Sequence, residues 1–225
     1  MALCATKLAY YDDMWKLQCR AALLSSVEGD DGRRALILDS TIFHPQGGGQ
    51  PSDTGFITDA GSNFKFVVED VRLKDGLVFH YGSFENSTGD CSPELEEGRE
   101  VCLHVDEPRR NLNSRPFVEY KGAIPQSEQQ DKQKELEIEA NLLISKGGKV
   151  SAAVLSYEEA CKLCGGCLPD YISKSSSPRI VNLGENPGCP CGGTHVADIS
   201  DIRSLKVTQI RIKKGMTKVY YSIGP

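Results

Sequence analysis

The sequence predicts an α+β chain, with a small β-barrel domain over residues 1–106 followed by an α+β domain over residues 107–225. Three observations lead there. Short apolar segments separated by turn residues fill the first half, as in a small barrel or sandwich. The first long helical periodicity begins only after residue 126. The chain has 225 residues, 39% hydrophobic and 25% charged, which is enough for one large core or two small ones.

Arg34–Asp39 reads as an apolar strand, and Thr41-Ile42-Phe43 leads into the glycine-rich turn Gly47–Gly49. Gly55–Thr58 is a further strand. Phe64–Leu73 and Leu77–Tyr81 flank Lys74-Asp75-Gly76, a hairpin signal. Val101–Val105 closes the series. Residues 84–107 carry eight acids against one base and read as a solvated connection. Beyond Asp106 the pattern changes. Glu128–Lys146 reads as a helix, with Ser127 and Gln130 as a capping box, Leu136, Ala140 and Leu143 as its apolar stripe and Gly147 as its stop. Val150–Leu155 is a strand. Ser156 and Glu159 form a second capping box that opens a second helix. Arg179–Leu183 is a strand, and residues 206–213 and 217–223 form a hairpin about Lys214-Gly215-Met216.

The formal net charge of −5 excludes a uniformly basic nucleic-acid binder but not a local basic patch. Arg203, Lys206, Arg211, Lys213, Lys214 and Lys218 supply six bases and no acid over sixteen residues. Such a hairpin can face phosphates, and it can equally be a solvated face. The N-terminus has no secretory pattern, and no apolar run approaches a bilayer span. Nine cysteines, an odd number, then suggest a reducing compartment, and the expected location is cytoplasmic.

Two constellations carry chemistry. Cys191-Gly-Gly-Thr-His195 spaces a thiol and an imidazole so that both can converge on one zinc ion, with glycines letting the backbone curl close. Cys189 and the Cys161-x-x-Cys164-x-x-Cys167 series are possible further ligands, although Cys161 and Cys164 equally suit small core positions on the second helix. The other constellation is Thr41-Ile-Phe-His44-Pro-Gln-Gly-Gly-Gly-Gln50-Pro-Ser-Asp53-Thr-Gly55. Its glycines can present amides to an anion or an acyl carbonyl, Gln50 can donate and accept, and Thr41 offers a hydroxyl. No Gly-Lys-Ser/Thr follows, so it is not a P-loop.

These motifs in this order, with Val105-Asp-x-x-Arg109-Arg110 between them, resemble AlaX, the free-standing relatives of the alanyl-tRNA synthetase editing domain. That family is related in turn to the second additional domain of threonyl-tRNA synthetases. Glu135–Asn141 resembles its long helix, and Arg211–Tyr220 its closing hairpin. The resemblance implies hydrolysis of the ester that joins serine or glycine to alanine tRNA. It implies a zinc ion held by an H-x-x-x-H pair and a C-x-x-x-H pair, the latter matching Cys191 and His195. It further implies that Thr41 senses the serine hydroxyl and that Gln50 lies near the pocket; Arg211, Lys213, Lys214 and Lys218 are the candidate tRNA-binding residues on the ground of their charge.

The chain departs from the family at one place. The H-x-x-x-H helix should follow Arg109–Arg115, but Pro116–Lys121 follows directly, and no histidine lies between His104 and His195. The simplest reading is an internal deletion that removes half of the zinc site. Weak zinc binding and impaired deacylation are therefore expected, and a catalytically inactive tRNA-binding module is the alternative. A full ligase would need an ATP-binding aminoacylation domain, for which the sequence offers no candidate; ligase and ATP-binding labels would then reflect domain inheritance.

Overall fold

The computed structural model describes residues 4–29, 32–48, 50–59, 61, 64–85, 95–106 and 117–224. The chain falls into two compact units, Met1–Asn111 with Gly192–Thr194, and Leu112–Cys191 with His195–Pro225. The expected deletion junction at Arg115–Pro116 lies outside the described residues.

In the first unit the strands are β1 (Lys7–Leu8), β2 (Gln18–Glu28), β3 (Arg34–Leu38), β4 (Ser40–Thr41), β5 (Gly55–Asp59), β6 (Lys65–Lys74), β7 (Leu77–Phe84) and β8 (Glu100–Val105). Six of them close a barrel in the order β2-β3-β7-β6-β5-β8, every pair antiparallel. The expected barrel is thus present. Period-two alternation builds it: β5 buries Gly55, Ile57 and Asp59, and β8 buries Val101, Leu103 and Val105. The core gathers Leu23, Leu36, Leu38, Ile42, Phe43, Phe66, Val68 and Val71, each worth about 1.5–3 kcal/mol when fully buried. Asp75 (φ 51°) and Gly76 (φ 80°) form the tight turn between β6 and β7 that the sequence predicts. Gly82 is required by proximity, because a Cβ there would stand 1.7 Å from the Val67 carbonyl oxygen. The eleven-residue β2 goes beyond the sequence reading, which assigns no strand to Gln18–Glu28.

The second unit contains β9 (Phe117–Lys121), α1 (Gln129–Lys146), β10 (Val150–Val154), α2 (Tyr157–Leu163), β11 (Arg179–Leu183), β12 (Cys189–Pro190), β13 (Leu205–Lys213) and β14 (Met216–Ile223). Two three-stranded antiparallel sheets result, β10-β11-β12 and β13-β14-β9. The Ser156–Glu159 capping box forms as expected. The box at Ser127 does not, because the N-cap of α1 is Glu128, which makes no side-chain cap.

Helix α1 also departs from its expected apolar stripe. Leu136, Ile138, Leu142 and Leu143 are exposed, and Ile144 is its buried residue. A polar stripe makes the contact instead. Gln133 Nε2 donates to the Val207 carbonyl (2.8 Å), and the Val207 amide donates to Glu137 Oε2 (2.9 Å). Asn141 accepts from the Leu205 amide (3.0 Å) and donates to the Leu205 carbonyl (2.7 Å). Spaced by four, these side chains satisfy the outer edge of β13, which would otherwise present open ladder groups.

Candidate functional site

The glycine motif of the first unit folds into a closed loop. The His44 amide donates to Asp53 Oδ2 (2.9 Å), and the Asp53 amide donates to the His44 carbonyl (2.9 Å). At the loop tip Gly47 and Gln50 exchange backbone hydrogen bonds of 3.1 and 2.9 Å across Gly48, whose φ is 57°. The Gly47 and Gln50 amides therefore close the turn, and Gly49 lies outside the described residues.

Thr41 sits at the end of β4 with its side chain fully buried. Its hydroxyl lies 2.8 Å from His80 Nε2 and accepts from the Phe43 amide at 3.0 Å. On the far side of the ring, His80 Nδ1 lies 2.9 Å from the Leu36 carbonyl oxygen. A carbonyl only accepts, so Nδ1 carries the proton, Nε2 carries the lone pair, and Thr41 donates to it. Complete burial holds the His80 pKa down to about 4, against the smaller opposing effect of the Leu36 carbonyl. The imidazole is neutral at physiological pH, and this tautomer orients the Thr41 hydroxyl. Strand alternation was the available signal for His80: it shares the inward register of Val78 on β7.

Gln50 points its amide at Thr194, which belongs to the same unit. Gln50 Nε2 donates to Thr194 Oγ1 (2.8 Å), and the Thr194 amide donates to Gln50 Oε1 (3.1 Å). This two-point contact joins Gln50 of the glycine motif to Thr194 across 144 residues of sequence. Thr41 and Gln50 stand in one unit, but the Thr41 hydroxyl is engaged by His80 and Phe43, and the Gln50 amide by Thr194.

In the second unit Cys191 Sγ and His195 Nε2 are 3.3 Å apart. Two ligands on one tetrahedral zinc ion, with bonds of about 2.3 Å to sulfur and 2.0–2.1 Å to nitrogen, stand at about 3.5 Å, so this pair matches half of such a site. Burial, and then the Arg179 guanidinium, lowers the pKa of His195. Arg179 is itself buried and donates to the Cys191 carbonyl (2.7 Å). Among the described residues no group of three or more His, Cys, Asp or Glu side chains could hold a metal ion. Closed zinc sites use four protein ligands and catalytic ones usually three, so the two donors brought together among the described residues fall short of either set. Cys161 and Cys164 are partly buried against Ala160, Leu168 and Ile180, and Cys167 and Cys189 are exposed.

The basic hairpin is placed as the sequence predicts, on β13 and β14. Arg211 and Lys218 are cross-strand partners, as are Lys213 and Met216, and Lys214 (φ 53°) sits in the turn. Lys218 pairs with Glu119 at 3.0 Å, and Arg211 donates to Gln209 at 2.9 Å.

Comparison with known proteins bears on this geometry. Residues 6–109 match the family model described as tRNA synthetases class II (A). The chain is 27% identical to the alanine–tRNA ligase of Sulfurisphaera tokodaii, over 97% of its own length and 26% of that protein. It is 26% identical to the alanyl-tRNA editing protein AlaX-L of Pyrococcus horikoshii, over 96% of its length and 57% of that protein. A ligase of Saccharolobus islandicus is 27% identical over all of this chain and 27% of its own length. The chain thus spans about a quarter of the ligases and just over half of AlaX-L. The last alignment runs over 255 positions against the 225 residues here, so about thirty positions of that relative have no counterpart in this chain.

Proposed function

We infer, from a relationship to alanyl-tRNA synthetases and to an AlaX editing protein that runs along nearly the whole chain, that this protein handles the aminoacyl end of mischarged alanine tRNA. The reaction class is hydrolysis of the ester joining serine or glycine to the tRNA. The observation that carries the reading is the two-point contact between Gln50 of the glycine motif and Thr194, both in the first unit. Gln50 and Thr41 are the residues proposed to read the amino acid. The Thr41 hydroxyl donates a hydrogen bond to His80 Nε2 and retains one acceptor lone pair beyond the Phe43 amide. Thr41 is fully buried, so a donating substrate group such as the serine hydroxyl meets that lone pair only where the surrounding core opens.

Cys191 and His195 supply two donor atoms where the family supplies four, and the relatives carry about thirty positions that this chain lacks. We therefore propose that the 225-residue form binds zinc weakly and hydrolyses seryl-tRNA for alanine slowly. A second reading, a tRNA-binding module without hydrolysis, is favoured by the same two-atom donor set. The test measures zinc per chain after dialysis against a mild chelator, beside single-turnover deacylation of seryl-tRNA for alanine. A version carrying the missing segment runs in parallel. Substoichiometric zinc and slow turnover, both restored by the segment, support the proposal. Brisk deacylation by the chain as it stands would overturn the impaired reading, and failure of both versions would overturn the editing reading.

A further inference from the structure

The β9–β14–β13 sheet of the second unit has two unlike faces. Val207, Ile210 and Val219 pack together on the inner one. The opposite register carries Gln209, Tyr220 and Phe117 in one row, Arg211, Lys218 and Glu119 in the next, and Lys213, Met216 and Lys121 in the third. Cross-strand partners share a face, so basic and aromatic side chains stand together on the outer surface. The rings of Phe117 and Tyr220 lie 5.3 Å apart on neighbouring strands. Phe117 is 45% exposed. Lys218 Nζ stands 4.1 Å from the Phe117 ring centre, and Arg211 Cζ stands 5.5 Å from that of Tyr220. The face holds four bases against one acid, on a protein whose net charge is −5.

Rings interleaved with cations on an open sheet face, Phe117 exposed and Tyr220 half-buried, suit unpaired nucleotides better than a duplex. Every base has a π-face that can stack on an aromatic ring or on a guanidinium plane, and the flanking cations meet the backbone phosphates. A duplex buries its base faces in its own stack and leaves only the charge to be read. The Lys218–Glu119 pair is partly exposed and therefore weak, so a phosphate can displace the carboxylate.

We propose that this face is a stacking platform for single-stranded RNA, with Phe117 and Tyr220 under successive bases and Lys121, Arg211, Lys213 and Lys218 on the phosphates. It rests on the tRNA reading above only for the choice of RNA, whose natural source is the unpaired 3′ end that carries the amino acid. The probe is a fluorescein-labelled oligonucleotide of the last eight nucleotides of an alanine tRNA, single-stranded or annealed to its complement, read by anisotropy across a salt series. The single strand is expected to bind at least about tenfold tighter than the duplex. Replacing both rings (Phe117→Leu with Tyr220→Leu) weakens binding about tenfold at an unchanged salt slope, whereas Phe117→Tyr retains it. Lys213→Gln weakens binding and lowers the salt slope by about 0.7, the share of one phosphate on a single strand. Phe117→Leu alone, at an exposed position, serves if the double variant does not fold. Equal affinity of the wild type and the leucine variants, or equal affinity for duplex and single strand, overturns the platform. Deacylation of seryl-tRNA reports separately: turnover with ring-independent oligonucleotide binding sinks only the platform. Ring-dependent binding with no turnover, even after the missing segment is restored, sinks only the editing reading.

Discussion

Replacing Thr41 by valine conserves shape and removes one oxygen, which makes it a sharp probe of the barrel. Two buried groups lose their partner at once, the His80 Nε2 lone pair at 2.8 Å and the Phe43 amide at 3.0 Å. Thr41 and His80 are completely buried, so water cannot replace the oxygen without opening the core. Leaving a buried polar group unsatisfied costs about 1–3 kcal/mol, so the pair costs about 2–6 kcal/mol. That is a large share of the roughly 5–15 kcal/mol that holds a domain folded. Thr41→Ser keeps the oxygen and loses a methyl, worth about 0.5–1.5 kcal/mol. Urea unfolding followed by tryptophan fluorescence and circular dichroism gives both numbers, and valine should be the worse by at least about 1 kcal/mol. If valine matches or exceeds serine in stability, the hydrogen-bonded chain from Leu36 through His80 and Thr41 to Phe43 has no energetic weight. The same pair of variants separates fold from selectivity: on a version with the missing segment restored, valine should lower the ratio of seryl to alanyl ester hydrolysis beyond any loss of folded protein.

Further outcomes follow from the same geometry. Because burial lowers the His80 pKa from 6.5 to about 4, the folded state resists its protonation. The stability it preserves is fully present above pH 6.5 and is lost as pH falls toward about 4, to a total of about 3 kcal/mol, and His80→Phe should flatten that part of a urea-midpoint profile. Asn141→Leu removes two hydrogen bonds from the edge of β13 and should cost about 1–3 kcal/mol while promoting self-association, both visible in unfolding and in sedimentation velocity. A double-mutant cycle of Gln50→Ala and Thr194→Ala should show a coupling of about 0.5–3 kcal/mol in stability, and additive losses would dissolve the contact. A chelator should leave the urea midpoint of this chain in place, whereas a large drop would reveal a closed zinc site worth about 10–16 kcal/mol.

Much of the barrel was legible. Short apolar segments between turn residues marked β3, β5, β6, β7 and β8, and Asp75-Gly76 marked the hairpin, because apolar runs and left-handed turn residues are local properties of the chain. Strand β2, Gln-Cys-Arg-Ala-Ala-Leu-Leu-Ser-Ser-Val-Glu, was not, since its apolar residues cluster rather than alternate and its register shifts between Leu23 and Ser25. Helix α1 was found in nearly the right place for an incomplete reason. Its apolar residues sit at helical spacing, yet its packing comes from Gln133, Glu137 and Asn141, and periodicity of hydrophobic residues carries no trace of a backbone edge awaiting polar partners. At the candidate site, the i, i+4 spacing puts Cys191 and His195 within reach of each other, and they stand 3.3 Å apart. It could not show that the Gln50 amide would close on Thr194, a contact fixed only when distant segments meet, nor that Arg179 would stand beside the thiol and imidazole.

Closure of the barrel runs through the pairing of β2 with β8, in which Gln18 meets His104 and Ala22 meets Glu100. Nothing local holds those strands together, and about eighty residues of chain must be looped out before the first of these hydrogen bonds forms. On a ribosome the seam cannot zip until Val105 has left the exit tunnel, and until then β2 and β5 each wait with an open ladder. The nascent chain is therefore most exposed to intermolecular pairing in that interval. Slowing translation just before Glu100 should lengthen the interval and increase aggregation, whereas a pause placed after the seam has emerged should be harmless.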